Sequence, residues 1–211
     1  MNKDDLPCQH LNQQKAWMTS DILHKLLSQL NSSFKAQYRS ILLFIDSAGY
    51  HPYDLKGRYS RIKLVFFLVN CTSKLQPLDL AIIQNFKVHY RKLLLRYIIT
   101  MTTDHESATD IAKTLDVLQA ITWMGTPWSK VENDIIIKCF AAAGISSTFS
   151  EAATVITLTG EEDPFADLHV SADEELENLV QQVAPGSGIG TYLESIANFQ
   201  PVTVLLPNNS C

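Results

Sequence analysis

Short apolar runs separated by polar turns divide the first part of the chain into elements. Residues 40–46, SILLFID, form an apolar run that ends in an acid, and residues 62–69, IKLVFFLV, form a second run. Runs of this length, rich in β-branched and aromatic residues, predict two buried strands. Before them, five apolar residues recur at helical spacing: Ile22, Leu23, Leu26, Leu27 and Leu30. Thr19 or Ser20 is suited to cap that helix, so the pattern predicts a helix followed by two strands.

Residues 70–98, NCTSKLQPLDLAIIQNFKVHYRKLLLRYI, predict a long helix that begins after Pro77 and carries Asp79 in its first turn. At about 100° per residue, six apolar residues fall on the same side as Asp79: Ile82, Ile83, Phe86, Tyr90, Leu93 and Tyr97. Four basic residues fall away from that side: Lys87, Arg91, Lys92 and Arg96. The pattern therefore predicts a buried apolar stripe that starts with a carboxylate at the rim of a core.

Helical spacing returns after residue 100. Residues 108–124 and 134–143 predict helices, and Gly144 is placed to end the second. Beyond residue 145 the composition predicts mostly flexible chain, with an acidic helix over 172–183 and a short strand over 202–206. The expected organisation is a polar, unstructured leader, a first folded region, its helical extension and an acidic tail, over residues 1–15, 16–100, 101–145 and 146–211.

The charge distribution divides the chain near residue 100. Residues 1–100 carry 14 Lys and Arg against 6 Asp and Glu, whereas residues 101–211 carry 3 against 16. The first part suits a polyanion, and the second part repels one. An acidic tail is also a common solubilising segment, so this division alone does not assign a function.

Cysteine usage and hydropathy exclude several classes of protein. The four cysteines, Cys8, Cys71, Cys139 and Cys211, form no C-x-x-C pair, which argues against a disulfide framework or a zinc site and for a reducing compartment. The apolar runs are too short to predict a membrane span, and the N-terminus lacks the apolar core of a signal peptide.

Three phrases of the sequence carry a family resemblance. They are NQQKAWMTSDI at residues 12–22, SKLQPLDLAIIQNFKVHYRK at 73–92 and, more loosely, IIIKCFAAAGI at 135–145. The chain resembles the transposase domain of Tigger and pogo-type elements, relatives of centromere protein B. The resemblance implies an α/β fold with an RNase H-like core. It places the first strands before Met1, so the core expected here is incomplete and is followed by a helical, acidic C-terminal region.

The resemblance also implies a set of metal-binding acids. Asp79, which follows Gln-Pro-Leu, matches the family's third acid, and Asp46, in DSAGYHP, resembles its second. Such sets hold Mg²⁺ or Mn²⁺ for phosphoryl chemistry. The first acid is expected before Met1, so weak or absent catalysis is expected. A simpler interpretation stays open: Asp46 is a turn former before Ser-Ala-Gly, and Asp79 is an ordinary first-turn acid.

DNA is the partner that the resemblance implies, in the nucleus. Five basic residues are candidates for phosphate contacts: Lys74, Lys87, Arg91, Lys92 and Arg96. An ordinary solvated helix face is the alternative for them. Two other functions stay open: an interaction protein whose acidic tail recruits basic proteins, and a nuclease that takes its missing acid from another chain. The acidic half is also expected to compete with DNA for the basic helix, because both lie in one chain.

Overall fold

The structure is a computed structural model that describes residues 6–8, 11, 18–46, 55–67, 76–102, 107–145 and 173–185. The chain forms two compact units. The strand unit comprises Leu11–Gln76 and Val202–Val204, and the helical unit comprises Met1–His10, Pro77–Pro201 and Leu205–Cys211. Each unit has its own hydrophobic core.

Helix α1, Ser20–Ala36, opens the described part of the strand unit. Thr19 is its cap: the Thr19 hydroxyl oxygen accepts a hydrogen bond of 3.3 Å from the backbone N–H of Ile22. Leu23 and Leu27 are buried, and Leu26 and Leu30 pack beside them. The predicted helix and its apolar stripe are therefore confirmed, and the structure selects Thr19 over Ser20 as the cap.

A two-stranded parallel sheet completes this unit's core. Strand β1 is Ile41–Ile45 and strand β2 is Ile62–Phe66, with Ile41 opposite Ile62 and Ile45 opposite Phe66. Six buried residues of α1, the turn before β2 and β2 itself form the core: Leu23, Leu27, Leu55, Tyr59, Ile62 and Leu64. Asn31 of α1 accepts a hydrogen bond of 2.9 Å from the backbone N–H of Arg61, which fixes the entry into β2. Both predicted strands are present in the described residues, but β1 is not buried as predicted, since Leu42 is exposed and its other residues are half-buried.

Helix α2, Ile83–Met101, is the longest of the helical unit's described helices. It is preceded by a π-helical turn, Leu78–Ile82, in which the Ile83 N–H bonds to the Leu78 carbonyl five residues back. The predicted buried stripe is confirmed only in part: Ile82 is buried, but Ile83 is exposed and the other four residues are half-buried. Residues on the side of the helix opposite Asp79 are buried, among them Val88, Lys92 and Leu95. The alternative interpretation of Lys92 as part of a solvated helix face is wrong, because another helix covers it.

Five shorter helices accompany α2 in the described part of the helical unit. They are α3 Ala108–Thr114, α4 Val117–Trp123, α5 Gly125–Ser129, α6 Asn133–Ala142 and α7 Glu174–Val183. The predicted helix over 108–124 is divided in two, because the Asp116 carboxylate caps α4 by accepting the Gln119 N–H at 2.7 Å. The acidic helix predicted over 172–183 is present as α7.

Gly144 ends α6 as predicted. It has φ +75°, in the left-handed region that favours glycine. Its N–H bonds to the Ala141 carbonyl, and the N–H of Ile145 bonds to the Phe140 carbonyl. This pair of bonds is the Schellman arrangement, which satisfies carbonyls that the helix end would otherwise leave open.

The N-terminal stretch is not wholly the unstructured leader that was predicted. Leu6 and Cys8 are buried against Ile121 of α4. Pro7 lies close to α5: a Cβ atom added to Gly125 would be 3.0 Å from the Cβ atom of Pro7. The prediction is wrong for these residues because apolar side chains in a polar segment found partners far along the chain.

The described residues thus form a helix-rich chain with a small parallel sheet, which is compatible with part of an α/β transposase domain. No helix among them is long and apolar enough to cross a membrane. Lys74, the strand predicted over 202–206 and the end of the second predicted strand, residues 68–69, lie outside the described residues.

Replacing Thr19 by Ala removes the oxygen that caps α1, so we expect the free energy of unfolding of the strand unit to fall by about 1 kcal/mol. Thr19→Ser keeps the oxygen and should lose much less. Urea denaturation of the full chain, followed by circular dichroism, measures both. Equal losses in the two variants would contradict the capping role.

Candidate functional site

Asp46 lies at the carboxyl end of β1 and is partly buried. The pairing of the two strands extends to this edge, since the N–H of Phe67 bonds to the Ile45 carbonyl at 2.9 Å. The carboxyl ends of β1 and β2 therefore meet at one edge of the sheet. In open α/β sheets this is the edge at which ligands bind.

Asp79 is exposed in the π-helical turn before α2. The next residues, Leu80, Ala81 and Ile82, are buried against α6 and the residues beside it, including Cys139 and Ala143. This core fixes the turn from behind and leaves the carboxylate on its outer side. Short π-helical segments are rare and frequently occur at functional sites.

The described residues do not complete a metal site. Asp46 belongs to the strand unit and Asp79 to the helical unit, and each is described within its own unit. No group of three or more His, Cys, Asp or Glu that could hold a metal ion occurs among the described residues. The Mg²⁺ site implied by the resemblance requires three acids, and the described residues bring no such set together.

Lys92 is the most deeply buried of the predicted phosphate-binding residues described in the structure. Its side chain is 11% exposed, and its Nζ lies 2.5 Å from Asp173 Oδ2 and 3.0 Å from Glu175 Oε2. Both acids belong to the start of α7, where Asp173 also caps the helix by accepting the Leu176 N–H at 3.1 Å. One largely buried ammonium group therefore faces two carboxylates, of which Asp173 is mostly buried and Glu175 is exposed.

The pKa shifts of these groups follow from that geometry. Burial by itself lowers the pKa of Lys92, but its hydrogen bonds to Asp173 and Glu175 outweigh burial and raise it. Burial raises the pKa of Asp173, and the hydrogen bonds from Lys92 and the Leu176 backbone outweigh that and lower it. The hydrogen bond from Lys92 is the main cause that lowers the pKa of Glu175. All three groups are therefore charged at neutral pH.

Arg96 joins the same cluster. Its Nη2 bonds to Oε1 of Glu175, so the single carboxylate of Glu175 bridges Arg96 and Lys92. Beside these ion pairs, α7 buries three apolar residues, Leu176, Leu179 and Val180, against Val88 and Leu95 of α2. Two of the predicted phosphate-binding residues thus pair with α7: Lys92 is buried beneath it, whereas Arg96 keeps 46% of its side chain exposed at the edge.

Lys87 and Arg91 lie one turn apart on α2 and therefore neighbour each other on its surface. Lys87 is exposed and Arg91 is half-buried. Burial lowers the pKa of the Arg91 guanidinium from its usual value, although it stays charged at neutral pH. Among the described residues, no carboxylate lies within ion-pairing distance of either side chain.

A basic surface of the strand unit was not predicted. Lys56, Arg61 and Lys63 line an open cleft of about 620 Å³ along β2 and the turn before it. Arg58 is exposed in the same turn. The sequence did contain a signal, because four of the eight residues of KGRYSRIK, residues 56–63, are basic. The strand prediction used only the apolar residues of this stretch.

Comparisons with known proteins identify the family to which the chain is similar. Residues 1–140 match the family described as DDE superfamily endonuclease. Tigger transposable element-derived protein 4 of Mus musculus is 29% identical over 149 residues, 71% of this chain and 28% of that protein. CENP-B homolog protein 2 of Schizosaccharomyces pombe is 33% identical over 137 residues, 62% of this chain and 26% of that protein.

Major centromere autoantigen B of Homo sapiens is 27% identical over 140 residues, 66% of this chain and 22% of that protein. The chain spans about a quarter of the length of these curated relatives. No solved structure matches it. Endonucleases of this superfamily generally depend on divalent metal ions. The predicted resemblance to Tigger elements and centromere protein B is confirmed, and the chain belongs to the DDE superfamily endonuclease family.

Proposed function

We propose that this chain is a transposase-derived, DNA-binding part of a nuclear protein, with weak or absent catalysis in these 211 residues alone. The family match over residues 1–140 is the observation that carries the proposal. The basic character of residues 1–100 supports it, because phosphate contacts supply most of the sequence-independent affinity of proteins for DNA.

We infer that the parallel sheet belongs to an incomplete RNase H-like core. Two parallel strands with an acid at the carboxyl end of the first are in keeping with that core. The core corresponds to residues 16–100 and its helical extension to 101–145, after a leader over 1–15 and before an acidic region over 146–211. These boundaries are part of the proposal.

The proposal of weak catalysis follows from the acids. Asp46 and Asp79 are the two residues of this chain that match the family's three metal-binding acids. Phosphoryl transfer by two cations needs ligands for both, and a catalytic set that lacks one member usually loses orders of magnitude in rate. The alternative is an active nuclease that takes its third acid from another chain. The cleavage experiment below distinguishes this alternative from weak or absent catalysis.

Phosphate contacts are assigned first to Lys87 and Arg91. Both side chains lie on the helix that begins beside Asp79, and among the described residues neither has a carboxylate within ion-pairing distance. Lys74 is retained as a predicted contact. The cleft of Lys56, Arg61 and Lys63 adds a second basic surface in the strand unit.

A protein-recruiting role for the acidic region is less well supported. Asp173 and Glu175, two of the acids of α7, already pair with Lys92 and Arg96 of the same chain. Acids engaged in this way are less available to a basic protein partner. DNA binding by the basic surfaces is therefore the preferred function.

Purified full-length chain should show no Mg²⁺- or Mn²⁺-dependent nicking of supercoiled plasmid above that of its Asp79→Asn variant. The reason is that Asp46 and Asp79 supply two of the three acids required. Agarose gels of time courses at equal protein concentration measure it. Metal-dependent nicking that disappears with Asp79→Asn would contradict weak catalysis. It would favour a nuclease that takes its third acid from another chain.

Removing Lys87 and Arg91 together, as Lys87→Ala/Arg91→Ala, should weaken binding to duplex DNA of any sequence. The slope of log K against log salt should become shallower by about 1.8, since each phosphate contact contributes about 0.9. Fluorescence anisotropy at several salt concentrations measures both effects.

The matched control is Lys113→Ala/Lys138→Ala, which removes the same charge from the acidic half. Lys113 is already paired with Asp110 at 3.0 Å, so this change should leave the slope nearly as it was. If both double variants change the slope equally, Lys87 and Arg91 are not the contact surface, and net charge alone determines binding.

A further inference from the structure

The surface of α2 that α7 covers has a mixed chemistry. Its centre is apolar, with Val88 and Leu95 packed against Leu176, Leu179 and Val180. Its edge is cationic, formed by Lys92 and Arg96, and both cations pair with acids at the start of α7. Such a surface fits a short acidic amphipathic helix, and α7 is that helix.

The acids of α7 contact two cations that could otherwise pair with a phosphate group. The carboxylate of Glu175 contacts Lys92 with one oxygen and Arg96 with the other. A phosphate that bridges two cations has the same arrangement of oxygens. Because the Lys92 side chain is 11% exposed and already meets two carboxylates, it has no access to a further anion while α7 stays in place.

The docked state of α7 depends on these contacts. A helix of ten residues is marginal in water by itself, so α7 loses much of its helical order when it leaves α2. The 27 residues of 146–172 keep it tethered to α6, so it returns without diffusing away. Its occupancy is therefore open to competition by another anion.

We propose that α7 is an intrachain competitor that occupies a phosphate-binding surface of α2, so that α7 and duplex DNA exclude each other from Lys92 and Arg96. This inference rests on the proposed DNA-binding function and adds its regulation. By linkage, DNA that binds Lys92 and Arg96 must weaken the docking of α7 by the same factor by which α7 weakens the binding of DNA.

The test uses full-length chain with Asp173→Asn/Glu175→Gln. Asn keeps the cap of α7, since Asn and Asp are equally good caps, while the two charges that hold Lys92 and Arg96 are removed. The matched control is Glu174→Gln/Glu177→Gln, which removes the same charge from two exposed positions in the first turn of the same helix. Both variants change the formal net charge from −5 to −3.

Binding to one duplex of arbitrary sequence is measured by fluorescence anisotropy from 50 to 200 mM salt. Two additional phosphate contacts should steepen the slope of log K against log salt by about 1.8 in Asp173→Asn/Glu175→Gln. Over this fourfold range, affinity then falls about 12-fold more than in the unmodified chain. The control should keep nearly the unmodified slope.

Hydrogen exchange supplies a second measurement that does not depend on the variants. Saturating duplex should speed exchange at the amides of Leu179–Val183 in the unmodified chain, with α6 as an internal reference for the folded state. Faster exchange there, together with the steeper slope, supports competition.

The inference is overturned by two results together. The slope of log K against log salt is then the same in the unmodified chain, the test variant and the control, and duplex leaves hydrogen exchange in α7 unchanged. If none of the three binds duplex at 50 mM salt, the proposed function itself fails, and the inference fails with it. If the control steepens the slope as much as the test variant, general charge repulsion explains the effect and the specific competition is overturned.

Discussion

A buried ammonium group has to be matched by charge, and the described helical unit is built around one. Lys92 lies near the middle of α2 with little exposed surface, and an uncompensated charge there would be strongly destabilising. Asp173 and Glu175 provide the compensation, and Asp173 also caps the helix that delivers both. The position of α7 on α2 therefore depends on one cluster of charges as well as on three apolar side chains.

Local patterns predicted the elements whose causes are local. The cap at Thr19, the strands around Ile41–Ile45 and Ile62–Phe66, and the glycine that ends α6 each depend on a few neighbouring residues, and each is present. The helix predicted over 108–124 failed at one point. Asp116 was predicted to lie inside this helix, but its carboxylate caps a new one. The spacing of apolar residues contains no information about such a cap.

The surface of α2 could not be predicted in the same way. A helical wheel describes one helix without its partners, and for Lys92 it gave only a position away from the Asp79 side. The partner that buries it lies 81 positions further along the chain, at Asp173. The charge asymmetry of the sequence indicated that the two halves attract, but it did not specify which pair meets. The roles of Asp46 and Asp79 came from resemblance alone, and their environments came from the structure.

The four basic residues of α2 therefore divide into two pairs with different physical situations. Among the described residues, no carboxylate lies within ion-pairing distance of Lys87 or Arg91, whereas Lys92 and Arg96 pair with acids of α7. Lys92, held by two carboxylates, cannot stabilise that packing and also contact a phosphate, and the bond of Arg96 to Glu175 competes with a phosphate in the same way. Any gain in docking strength through this cluster must reduce the anion-binding capacity of the same helix. At Lys92 and Arg96, stronger docking of α7 thus lowers the affinity for a polyanion. At Lys87 and Arg91, the two properties are independent.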